Sequence, residues 1–190
     1  MSVRSSLTVL ALAAGSVLFA TSPVLAKDQA SSIAPSSQWS VDYGVTKCRL
    51  ARIFGEGDNR HLLFIEQSQP GRTFGLTVAG PEVKRFRSLR TTKMHFFDGQ
   101  EPKRTEPFKG EIEGYGDAVI YSSISLEKGD ESASEDDSEI TTLPQLDPIF
   151  ADQVEYVALR QSGRKVRLAT GPLGEPFKVL NDCTQDMVRS

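Results

Sequence analysis

Two histidines and a pair of glutamates have the side chains best suited to acid–base chemistry in this chain. His61 opens one predicted strand and His95 lies inside another, and each could act as a general base or as a hydrogen-bonded structural group. Glu111 and Glu113 could share one strand face, as the paired carboxylates of a glycosidase might, although such pairs are usually just solvated. We therefore predict no catalytic residue, and a non-enzymatic protein is the leading interpretation.

The sequence has no recognisable motif for a metal ion or a cofactor. Two histidines do not by themselves complete a metal site. Gly55-Glu56-Gly57 follows a predicted strand, but Arg60 stands where a dinucleotide-binding loop has its third glycine, and no βαβ pattern surrounds it. The nucleophile elbow and the zinc-binding helix motif are also absent. We interpret 55–57 as a hairpin turn and expect neither a metal nor a cofactor.

Basic side chains are concentrated in one stretch of the chain, where three phenylalanines are interleaved with them. If these side chains converge in the fold, they form a cationic surface suited to an anionic envelope polymer, lipid head groups or an acidic protein partner. The alternative is a scattered, solvated face. The candidate anion-binding residues are Lys84, Arg85, Arg87, Arg90, Lys93, Lys103 and Arg104.

Cys48 and Cys183 are the only cysteines. In an oxidising compartment two such residues normally form one disulfide, because nothing keeps the thiols reduced and no third sulfur competes. Closing so long a loop stabilises a fold by about 4 to 5 kcal/mol at most. A reactive thiol is the alternative, but neither cysteine lies in a Cys-x-x-Cys pair or beside a histidine. We predict a structural Cys48–Cys183 disulfide.

The N-terminus predicts export from the cytoplasm. Arg4 precedes an almost continuous apolar stretch that is too short to span a bilayer, and small residues then lead to Ala26. We predict a signal peptide at 1–26, cleavage after Ala26, no transmembrane segment in the mature protein and a periplasmic or secreted location. A flexible leader rich in Ala and Ser is expected at 27–38. The net charge of −3 indicates neither a nucleic-acid-binding nor a membrane-surface protein.

The remaining chain, 39–190, is predicted to form a single β-rich domain. Short apolar or alternating runs are separated by Gly, Asn, Asp and Pro, and their connections are too short for helical crossovers, which favours antiparallel pairing. In the second run Cys48, Leu50 and Phe54 should face the core and Arg49 should face water. The predicted strands are 39–43, 48–54, 61–67, 73–79, 93–97 and 118–126.

An acidic segment interrupts the strand pattern at 127–139, where seven acidic residues and three serines leave little apolar surface to pack. We interpret it as a solvated loop. A calcium site is the alternative, but the ligand spacing and central glycine of an EF-hand are absent.

The C-terminal part contains a predicted hairpin and a predicted helix. The runs 154–161 and 165–170 flank a Ser-Gly-Arg turn. From 176 to 188, Phe177, Leu180 and Cys183 recur at helical intervals, which places Cys183 on the apolar face. The predicted fold class is therefore mainly β (α+β): an antiparallel β-sheet or sandwich with a C-terminal helix packed on it and one disulfide.

The segments around the two cysteines resemble an uncharacterised family of exported bacterial proteins. The resemblance rests on 48–55, which begins Cys-Arg-Leu-Ala-Arg, and on 170–177 together with 181–187, which read Thr-Gly-Pro-Leu-Gly-Glu-Pro-Phe and Asn-Asp-Cys-Thr-Gln-Asp-Met. Some relatives carry this region ahead of a TonB-type C-terminal domain. The resemblance implies periplasmic residence and an accessory or binding role, and it offers no family activity to carry over to this chain.

Three functional hypotheses follow from the sequence. The leading one is an exported, non-enzymatic envelope domain that binds a protein partner or has a structural role. The second is a module that binds an anionic envelope polymer or lipid head groups, with an affinity that falls as salt rises. The third is a hydrolase with a deep pocket that gathers His95 or the pair Glu111 and Glu113.

Overall fold

The computed structural model describes residues 32–126 and 145–189. In this part of the chain ten strands form two antiparallel sheets; of the two α-helices, one lies between the eighth and ninth strands and the other follows the tenth. The predicted signal peptide with its cleavage site and the predicted acidic loop lie outside the described residues. The elements are β1 Ser40–Tyr43, β2 Cys48–Phe54, β3 His61–Gln67, β4 Phe74–Ala79, β5 Thr92–His95, β6 Lys103–Thr105, β7 Phe108–Ile112, β8 Gly116–Ile124, α1 Pro148–Ala151, β9 Val157–Gln161, β10 Arg164–Leu168 and α2 Gly174–Arg189.

The larger sheet has six strands in the order β1-β2-β3-β4-β8-β7. Alternate side chains of its strands face the core, and the opposite face carries charged residues together with a second, smaller apolar cluster around Leu62. Cys48, Leu50 and Phe54 of β2 are buried. Arg49 faces the opposite side and pairs with Glu66 on the neighbouring strand. The predicted register of this strand is confirmed.

The smaller sheet has four strands in the order β10-β9-β5-β6. Its hairpin between β9 and β10 turns through Ser162 and Gly163, which both have positive φ values, of 49° and 80°. Two such residues form the tight turn that matches the natural twist of antiparallel strands. Arg164 therefore pairs with Gln161 as the first residue of β10 rather than belonging to the turn.

The two sheets bury their inner faces against each other in one hydrophobic core. Leu63 and Val78 of the larger sheet and Met94 and Leu159 of the smaller sheet are all fully buried members of the same cluster. The predicted fold class, antiparallel sheets with a C-terminal helix and a disulfide, is thus confirmed. Strands β6 and β7 were not predicted, because they are short, polar and at sheet edges, where burial imposes no alternation.

Helix α2 buries Phe177, Leu180 and Cys183, as its spacing predicts. Cys183 forms the disulfide with Cys48 of β2, with a Cα–Cα distance of 6.1 Å. The helix starts at Gly174, two residues earlier than predicted. The reason is a distant cap: the Asp152 carboxylate, just after α1, accepts a hydrogen bond of 3.1 Å from the Gly174 N–H.

The segment 32–38 joins the two sheets. Ile33 forms a parallel bridge with Leu168 of β10, and Pro35 forms an antiparallel bridge with Phe54 of β2. The Ile33 N–H donates to the Arg167 carbonyl at 2.8 Å. Residues 32–38 are therefore held against both sheets, unlike the flexible leader predicted at 27–38, of which 27–31 lie outside the described residues. Composition missed this because a single isoleucine among polar residues anchors the segment.

Candidate functional site: a cationic sheet face

The outer face of the smaller sheet carries one cationic side chain on each of its four strands. Lys165 of β10 lies directly opposite Arg160 of β9, and Arg160 lies opposite Lys93 of β5. Lys93 in turn lies opposite Arg104 of β6. Adjacent strands are about 4.8 Å apart, so the backbone positions span about 14 Å in one line across the sheet. We call Lys165, Arg160, Lys93 and Arg104 the cationic row.

Strand alternation turns the cationic row toward solvent. Successive side chains of a strand point to opposite faces, so the buried neighbours of these residues fix their direction. Met94 lies beside Lys93, Leu159 beside Arg160 and Val166 beside Lys165, and all three are in the core. The four cationic residues themselves are exposed.

Within the described residues, no salt bridge neutralises the cationic row. Basic side chains on the larger sheet differ in this respect. Lys47 and Arg49 share the Glu66 carboxylate, and the Lys109 ammonium lies 3.0 Å from Asp117. Like charges placed directly opposite each other destabilise an antiparallel pair. Repulsion within the row therefore lowers the stability of the free protein, and a bound anion would relieve this repulsion.

His95 reports the positive potential of this face. It lies on β5 two residues beyond Lys93, and it pairs with Ala158 of β9. The pKa of His95 is lowered from its ordinary value, first by burial and then by the positive charges of Arg160 and Lys93, while Asp98 opposes the shift. A protonated imidazole here would add a further positive charge to the face.

One end of the same face is neutralised by its own contacts. The Arg167 guanidinium lies over the Tyr156 ring at 3.4 Å from the centroid, and Asp98 lies 3.8 Å from the guanidinium. The Tyr156 hydroxyl donates a hydrogen bond of 2.7 Å to Asp98. Burial and this hydrogen bond raise the pKa of Tyr156 to about 12, so the phenol stays neutral. Among the described residues, the cationic row has no ion pair or ring contact of this kind.

The loop before β5 adjoins the opposite end of this face, next to the ends of β9 and β5 that carry Arg160 and Lys93. The Gln161 side chain accepts a hydrogen bond from the Arg87 N–H at 2.6 Å. Its amide donates to the carbonyls of Arg87 and Arg90, each at 3.0 Å. Gln161 directly follows Arg160, so this buried amide fixes the exposed residues 87–90 beside the row.

The seven predicted anion-binding residues are therefore only partly brought together. Lys93 and Arg104 are members of the cationic row, and the exposed Arg87 and Arg90 lie in the adjoining loop. Arg85, also exposed, ends the 3-10 turn Pro81–Arg85 that precedes this loop.

Two of the seven lie elsewhere. Lys84 lines a cleft of about 350 Å³ with Arg60, Tyr115 and Asp117. Lys103 lies next to Arg104 on β6 and so has the opposite orientation; it lines a different cleft with Phe97 and Phe150.

Sequence reasoning missed Arg160 and Lys165, half of the cationic row. A signal was present: Arg160 and Lys165 each stand next to an apolar residue in a strand-like run, which indicates a charged outer face. What the sequence does not reveal is that β5 pairs with β9, and this pairing is what aligns Arg160 with Lys93.

His61 is a buried structural residue. Its Nδ1 lies 2.9 Å from the Asn59 carbonyl oxygen, which can only accept, so Nδ1 carries a proton. Its Nε2 contacts the Glu82 carboxylate. Gly80, with φ of +144°, packs so closely that a Cβ there would overlap the imidazole ring. The predicted hydrogen-bonded structural histidine fits this environment.

The remaining candidates do not form a common cleft. Glu111 on β7 and Glu113 in the turn after it are both exposed, and His95 lies on the other sheet. Gly55, with φ of +71°, belongs to the turn that joins the paired strands β2 and β3, as predicted.

The described residues offer no metal site and no membrane-spanning helix. In 32–126 and 145–189, no three His, Cys, Asp or Glu side chains are grouped so that they could hold a metal ion. No helix in the same ranges has the length and apolar content to cross a membrane. Comparison of the chain with protein-family models, with curated proteins and with solved structures found no significant match.

Proposed function

We propose that this chain is an exported, non-enzymatic β-sandwich that binds a multivalent anionic ligand of the cell envelope through the cationic row. The observation that carries the proposal is the direct opposition of four cations without counter-ions among the described residues. A polyanion with several phosphate, carboxylate or sulfate groups along about 14 Å would match the row. The predicted signal peptide and the Cys48–Cys183 disulfide support a location in an oxidising compartment.

A bound polyanion would neutralise several cations of the row at once and would remove water from few other groups. The row lies on the outer surface of the sheet, so it can contact an extended polymer without a pocket. Long Lys and Arg side chains reach beyond the sheet and adjust to irregular anion spacing. The expectation of a protein-binding envelope domain stays a prediction, and the row favours an anionic partner for it.

Binding of inorganic polyphosphate, measured by isothermal titration calorimetry at 50 and 300 mM NaCl, tests the proposal. Affinity should fall by about tenfold or more between the two salts, because the contacts are screened. The double variant Lys93→Gln with Arg160→Gln should lose about tenfold or more at low salt, because half of the row is removed. The control is Arg72→Gln, which removes one exposed cation from the loop between β3 and β4, where the double variant removes two from the row. Equal losses in the double variant and the control would refute a specific role for the row.

A further inference from the structure

The loop that adjoins the cationic row presents an apolar side chain to solvent in an unfavourable backbone conformation. Leu89 is 69% exposed and has a φ of 52°, in the left-handed region that favours glycine. It is held there by a hydrogen bond of 3.1 Å from its N–H to the Pro107 carbonyl. The backbone on both sides is fixed by Gln161. The exposure of Leu89 is therefore built into the loop.

A second exposed apolar side chain comes from the adjoining strand. Phe108, the first residue of β7, is 56% exposed. The residues on both sides of it contact the loop: Pro107 accepts from Leu89, and the Lys109 N–H donates to the Ser88 hydroxyl at 2.9 Å. Leu89 and Phe108 thus project from segments that are hydrogen-bonded to each other.

Two cations lie close to Leu89 in the chain. Arg87 and Arg90 flank Leu89 in the loop, and both are exposed. The residue that holds the loop, Gln161, is the chain neighbour of Arg160 in the cationic row. Apolar side chains within a cationic surface match the boundary of an anionic bilayer, where acyl chains lie beneath negatively charged head groups. A soluble polyanion would give Leu89 and Phe108 nothing to contact.

We propose that the multivalent anion bound by this chain is the surface of an anionic lipid bilayer, with Leu89 and Phe108 inserted among the head groups. This inference rests on the proposed function, because the cationic row supplies the electrostatic attraction. Two apolar side chains give weak membrane affinity by themselves, so the combination of insertion and charge is what makes binding measurable.

Sedimentation with vesicles of phosphatidylcholine, with and without phosphatidylglycerol at about one third, tests the inference. Wild-type protein should bind only the anionic vesicles. The test variant is Leu89→Asn with Phe108→Thr; Asn tolerates the left-handed conformation and Thr suits an edge strand, so the fold should be preserved. It should lose about tenfold or more in vesicle affinity and keep its polyphosphate affinity. The control Val45→Asn removes an even more exposed apolar residue from the turn between β1 and β2, and should bind vesicles normally.

The outcomes separate the two proposals. If the test variant with a normal melting temperature binds anionic vesicles like the wild type, insertion is refuted. If the wild type binds polyphosphate but no vesicle, the ligand is a soluble polymer: the membrane inference is overturned and the proposed function stands. If it binds neither, both proposals fail.

Discussion

Replacing Lys93 by glutamine should stabilise the free protein, because Lys93 stands between two other cations. Arg160 and Arg104 lie directly opposite it on the two neighbouring strands. With the charged ends of these long side chains about 9 Å apart in water, each repulsion is about 0.5 kcal/mol. The two pairs together give about 1 kcal/mol, and each lies within the range of about 0.2 to 1 kcal/mol for one cross-strand pair. At 10 mM salt most of this survives, since the Debye length is about 30 Å.

Thermal and urea unfolding at two salt concentrations measure this effect. At 10 mM NaCl the melting temperature of Lys93→Gln should exceed that of the wild type by about 2 to 3 °C. At 1 M NaCl, where the Debye length is about 3 Å, the difference should vanish. Arg72→Gln, which has no opposed cation, controls for the change in net charge. A stability gain that persists at high salt, or no gain at low salt, would refute the reasoning.

Three further results are expected. Polyphosphate should raise the pKa of His95 by opposing the charges that lower it, so binding should strengthen as pH falls through that pKa; an NMR titration without such a rise would contradict the location of the ligand. Replacing Cys48 and Cys183 together by serine should lower the free energy of urea unfolding by about 3 to 5 kcal/mol. A loss below about 1 kcal/mol would mean that the disulfide hardly constrains the unfolded chain. Gly174→Ala should cost about 1 to 2 kcal/mol, because the new methyl group would displace the Asp152 carboxylate that caps α2; an unchanged melting temperature would contradict this capping role.

An element of this fold can be predicted from the sequence where burial imposes an alternating or helical pattern on its residues. Strands β2 and β3 have the predicted bounds, because alternation across a half-buried sheet is visible in residues such as Cys48, Leu50 and Phe54. Edge strands β6 and β7 carry little such pattern. The N-terminal bridge at Ile33 and the cap from Asp152 depend on partners far along the chain.

In the candidate site, too, local features were predictable and features that depend on distant segments were not. Sequence reasoning selected the basic stretch and included Lys93 and Arg104, since charge density is a local property. It also included Lys84 and Lys103, which the fold directs to other surfaces. Arg160 and Lys165 were omitted because the register between β5 and β9 joins segments that are distant in sequence. The local density of charge can be seen in the sequence, whereas the alignment of charges depends on which strands pair.

The position of the two cysteines sets the order in which this fold can be completed during synthesis. Cys48 lies in the second strand and Cys183 in the last helix, with a sequence separation of 135 residues. A chain made from its N-terminus therefore carries an unpaired Cys48 thiol until Cys183 has also been made. A chain interrupted between these two cysteines has a single sulfhydryl and cannot form this disulfide. Thiol-reactive labelling would thus distinguish chains that lack Cys183 from chains in which the disulfide has closed.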